Sequence, residues 1–129
     1  MSEFSNFLED AIINATLRGD NSDLPNGVVP HLSLLSTDPT DADAGTETTW
    51  VGYNRMVLTF DAPVDGYTQN TSAVTFPPSD GTYNVTHIGV YDSLTGGNLL
   101  YHTPLNNTKT LYSTDTITFN AGSVQITVA

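Results

Sequence analysis

The stretch VTHIGVYDSLTGGNLLYHTPL, residues 85–105, decides how this chain is read. Two apolar runs flank Asp92-Ser-Leu-Thr-Gly-Gly97, whose glycines and short polar side chains suit a tight reversal, so the segment predicts a β-hairpin. With Asp92 paired to Asn98, Ile88 falls opposite His102 and His87 opposite Thr103. Residues directly opposite share a face, so this register puts His87 and His102 on opposite faces and denies them a shared metal. A loop one residue longer or shorter would reverse that.

Outward from the hairpin the pattern stays that of strands. Alternation is clearest in Met56, Leu58 and Phe60 and again in Val124, Ile126 and Val128, which should point inward. Turn signals recur along the chain, and strands are expected near Val28–Leu35, Val51–Phe60, Ser72–Phe76, Asn84–Asp92, Asn98–Thr103, Thr108–Leu111, Thr114–Phe119 and Ser123–Val128. Pro30 cannot donate to a ladder and marks a strand start or an edge. Pro77-Pro78-Ser-Asp-Gly81 reads as a passage between sheets, and Asn120-Ala-Gly122 as the loop of a last hairpin. The fold class is mainly β, an antiparallel sandwich of jelly-roll or immunoglobulin-like type with one N-terminal α-helix. Residues 1–129 read as one domain, with a helical segment over 1–19 and the sandwich over 28–129.

The helix is FLEDAIINATLRG, Phe7 to Gly19. Asn6 would cap it, Glu9 would reach back to the cap amide, and Gly19 would close it in a left-handed conformation. Phe7, Leu8, Ala11, Ile12 and Ala15 form one apolar stripe, which Phe4 extends. Ile13 and Leu17 lie on another face. Either the protein's own sheet and the loop after Gly19 cover them, or they meet a neighbouring subunit. Phe4, Phe7, Ile13 and Leu17 are the candidate partner interface.

Composition narrows the function. The chain has 129 residues, 14 acidic side chains against three basic ones (Arg18, Arg55, Lys109), a formal charge of −11 and no cysteine. Phosphate recognition and polybasic membrane anchoring need clustered Lys and Arg, so neither nucleic acid nor a membrane is an expected partner. Disulfides, thiolate zinc sites and Cys nucleophiles are excluded. Threonine occurs 20 times, as on a hydroxyl-rich β surface. No Gly-x-Ser-x-Gly elbow, phosphate-binding glycine loop or His-Glu-x-x-His segment is present, so no enzyme, catalytic residue or cofactor is expected.

Two weaker signals remain. The loop STDPTDADAGTETT, Ser36–Thr49, should project into water, and Asp38, Asp41, Asp43 and Glu47 are weak candidates for calcium. Gly45 interrupts the alternation of ligands that a calcium loop needs. Trp50, at the border of that loop and a strand, is the candidate platform for a carbohydrate, against a role in covering one end of the core.

The helix FLEDAIINATLRG, the strand GYNRMVLTFDAP at Gly52–Pro63 and the hairpin at Val85–Leu105 together resemble a family of small tailed-bacteriophage proteins usually labelled tail fibre protein or virion structural protein. The resemblance runs in order along nearly the whole chain, to Ala121-Gly122. It implies a virion component without enzymatic residues. The expected partners are other virion proteins, capsid or tail subunits, and copies of the chain itself in a homo-oligomer, a trimer being one form. A small tail fibre, baseplate or adaptor component is the first reading. A capsid decoration or cement protein is the alternative, and a carbohydrate-binding module for host attachment a third.

Overall fold

The computed structural model describes residues 3–24 and 28–128. A two-residue strand, β1 (Glu3–Phe4), precedes α1 (Asn6–Leu17). The strands that follow are β2 (His31–Leu35), β3 (Met56–Val57), β4 (Tyr67–Gln69), β5 (Val74–Thr75), β6 (Tyr83–Tyr91), β7 (Leu99–Leu111), β8 (Thr118–Phe119) and β9 (Gln125–Thr127). All pair antiparallel, in a five-stranded sheet of order β1-β7-β6-β2-β3 and two-stranded sheets β4-β9 and β5-β8. The protein is therefore mainly β, with one short N-terminal helix among the described residues.

The period-two pattern explains the layers. Leu32 and Leu34 of β2 and Ile88 and Val90 of β6 turn one face of the large sheet toward Val74, Phe76, Ile117 and Val124 on the small-sheet side. Each such side chain contributes roughly 1.5–3 kcal/mol on burial, which outweighs any local preference of these short strands. Leu8 and Ala11 of α1, together with Leu35 and Leu99, are also buried but stand outside that cluster. They belong to the opposite face, where α1 packs on β7. Gly89 lies in this second layer. A Cβ there would come within 3.0 Å of Leu99 Cδ1 and Ser33 Oγ and 3.1 Å of Tyr91 Cε1, so any larger residue would have to push these side chains aside by a few tenths of an ångström.

The hairpin is present, but its register is not the expected one. Asp92 does pair with Asn98 through a 3.1 Å backbone bond. Tyr91 then faces Leu99 while Val90 faces Tyr101, which leaves Leu100 as an extra residue. A regular ladder would bury one of two adjacent leucines, and the bulge lets both be buried. As a result His102 stands opposite Gly89 and Ile88 opposite Thr103. His87 and His102 share a face, contrary to the sequence reading.

Other elements differ in detail. The expected strands at Asn98–Thr103 and Thr108–Leu111 are one strand, β7, and its pairing with β6 shifts between Val85 and His87. The long strand over Val51–Phe60 shrinks to Met56–Val57. Leu58 is nonetheless core, with Met56 and Phe60 packed against it, whereas Val128 is exposed. Pro30 directly precedes β2, and the Pro77–Gly81 segment carries the chain from the β5-β8 sheet to the large sheet. The last two strands do not form a hairpin, because β8 pairs with β5 and β9 with β4. Buried Asn70 diverts the chain between them. Its Nδ2 donates to the Asn120 and Ser72 carbonyls at 3.1 and 2.9 Å, and its Oδ1 accepts from the Val124 amide at 2.9 Å.

Candidate assembly surface and the acidic-loop network

Ser5, not Asn6, caps the helix. It accepts from the Leu8 amide at 3.1 Å, its hydroxyl donates to the Leu99 carbonyl, and its amide donates to the Leu100 carbonyl at 3.0 Å. The bulge thus presents two carbonyls, and one buried serine satisfies both while starting the helix. The Asn6 amide is taken by the Asp41 carbonyl at 2.8 Å. Gly19 takes a positive φ of 69°, the closure its position implied.

This docking sets the helix faces. Leu8 and Ala11 are buried, Phe7 is half-buried, and Phe4 is held edge-on to Tyr101 at 5.2 Å. Ile13 and Leu17 are 50% and 79% exposed. The reading in which the protein's own sheet and loop cover them does not hold.

The loop over 36–49 does not project freely into water. Pro39 and Thr48 are buried, the Thr48 amide donates to Leu34, and Ser36 and Thr46 pair across the loop. Its carboxylates find four different partners, three on the sheet and Arg55 just before β3. Asp38 Oδ1 lies 3.9 Å from His87 Nε2, Asp41 Oδ1 2.9 Å from His102 Nε2, and Asp43 Oδ1 accepts from the Tyr91 hydroxyl at 2.7 Å. Glu47 meets Arg55 in a two-pronged pair at 3.0 and 3.1 Å. The four calcium candidates therefore do not converge on one point. Composition alone marks this loop as solvated; the partners that hold it come from β6, β7 and Arg55, remote in sequence.

Arg55 organises one end of this network. Its guanidinium stacks 3.8 Å from the centre of the Tyr91 ring and donates to the Ser93 and Gly96 carbonyls at 3.0 and 2.8 Å. It therefore ties the acidic loop to the hairpin turn. Tyr53 donates to Glu47 at 2.6 Å and accepts from the Leu34 amide at 3.1 Å. Burial first, and the hydrogen bond to Glu47 second, push the Tyr53 phenol up; burial and Asp43 do the same for Tyr91. Both phenols stay protonated and remain donors. The sequence marks Arg55 only as one of three basic side chains. Its role was legible only as an isolated arginine in a chain full of carboxylates.

Trp50 is 8% exposed, flanked by Tyr53 at 5.1 Å and Tyr83 at 5.5 Å. The ring belongs to the core cluster and offers no open face on which a sugar would stack.

The assembled picture is a sandwich with one apolar helix face left in water. The sequence model of a family described as Podophage GP4 fiber I protein gp80 matches residues 3–127. The chain belongs to that family. A search of curated proteins gives no match. The fibre family is a structural one, so this protein is a structural component located in the virion, in agreement with the resemblance read from the helix, the second strand and the hairpin. It is from the family, not from any cluster of reactive side chains, that this follows.

Proposed function

We propose that this fibre-family protein is a non-enzymatic building block of the phage tail, a small fibre, baseplate or adaptor component that attaches to other virion subunits through the outer face of α1. One observation carries the reading: Ile13 and Leu17 stand one turn apart, exposed, on a helix whose other face is pinned to the sheet by Ser5, Leu8 and Ala11. A rigid helix with an apolar outer pair is suited to docking, because little conformational freedom remains to be lost on binding. Phe4 and Phe7, half-buried beside the other stripe of the helix, are the remaining interface candidates. The fibre family favours the tail over the head-decoration reading.

The test is Ile13→Asp combined with Leu17→Asp. Because Leu17 is exposed and Ile13 half-exposed, the double variant should stay cooperatively folded, with a melting temperature lowered only modestly by the added like charges, and fail to enter particles or oligomers, scored by mass in solution and by copy number in purified virions. Normal incorporation of a folded double variant would remove the helix from the interface.

A further inference from the structure

We propose that Glu3, Asp41 and His102 form a binding site for a divalent transition-metal ion of the zinc type. The three come from β1, the acidic loop and β7, and one ligand atom from each lies within 4.8 Å of the others. His102 is the fixed member. Its side chain is 2% exposed, with Nε2 2.9 Å from Asp41 Oδ1 and Nδ1 3.7 Å from Glu3 Oε2.

A buried imidazole flanked by two carboxylates offers a cation three donors from three separate elements. The donor set then selects the ion. One imidazole nitrogen and two carboxylate oxygens match zinc, whose ligands stand at about 2.0–2.2 Å in a tetrahedral set that water completes. Calcium takes six to eight oxygens, typically, and the other loop carboxylates are turned to His87, Tyr91 and Arg55. The fit requires little motion. Glu3 and Asp41 have side chains 65% and 47% exposed, with room to adjust around an ion, while the His102 side chain is enclosed. Such an ion would join the first strand, the loop that holds the Asn6 amide, and β7 of the large sheet at one point.

The site is independent of the docking role of α1, and its test reads the metal directly. The full chain, freed of any affinity tag and treated with chelator, is titrated with zinc chloride by calorimetry and followed by thermal melting. One ion per chain and a raised melting temperature are expected. Glu3→Gln and Asp41→Asn should each weaken binding by about tenfold or more, with the metal-free melting temperature of Glu3→Gln unchanged because that side chain lies mostly in water. His102→Gln should abolish binding; if it fails to fold, Glu3→Gln carries the test. Absence of both heat and stabilisation would overturn the proposal. So would zinc affinity undiminished in Glu3→Gln and Asp41→Asn, which would place the ion elsewhere.

Discussion

Arg55 shows how much one residue can hold in a chain with three basic side chains. Its own side chain is 9% exposed, and it is committed on every side: to Glu47, to the Tyr91 ring and to two carbonyls of the hairpin turn. Arg55→Met keeps much of the volume but leaves Glu47, partly enclosed, without its counter-charge. Breaking one partner of a largely buried pair costs about 3 kcal/mol or more, far beyond the value of an exposed ion pair. Urea denaturation of Arg55→Met should therefore show a loss of that size, whereas Arg18→Met, on the exposed helix end, should lose no more than a few tenths of a kcal/mol. Equal effects of the two would deny Arg55 its role as the tie between loop and hairpin.

At the scale of elements, the bulge at Leu100 and the helix that docks on it form one unit. Ser5→Ala removes the cap of α1 and the bond to the Leu99 carbonyl together, and should cost about 1–2 kcal/mol, measured by the same unfolding assay. Asn6→Ala should cost much less, because its side chain is not the cap. This pair also marks how far the sequence was legible. The helix, its closing glycine, the hairpin and the inward set Leu58, Val124 and Ile126 follow from periodicity and turn chemistry, which act over a few residues. The bulge, the identity of the cap and the resting place of the acidic loop depend on Leu99, Leu100, His87, His102 and Arg55 meeting residues tens of positions away. No local pattern encodes those meetings. A single inserted residue at Leu100 was enough to bring two histidines onto one face and to assemble a His–carboxylate cluster that spacing alone separated.

For the whole molecule, the charge of −11 sets the terms of assembly. Arg55 is enclosed by its own chain, which leaves Arg18 and Lys109 as the exposed basic side chains. Two copies of this protein therefore have almost no cations with which to answer each other's carboxylates, and any contact between copies must rest on apolar and hydroxyl surface while working against mutual repulsion. Raising the salt shortens the screening length from about 10 Å at 0.1 M to about 3 Å at 1 M, which weakens repulsion and leaves apolar contact intact. Association between copies should thus strengthen with salt. Docking onto a basic partner surface in the virion should weaken instead, because there the carboxylates contribute attraction. Sedimentation of the isolated chain across that salt range gives the first sign, and retention on purified particles over the same range gives the second. Self-association that falls as salt rises would mean that copies meet through ion pairs, for which Arg18 and Lys109 are the exposed Lys or Arg side chains among the described residues, and the apolar helix face would lose its place as the contact between copies.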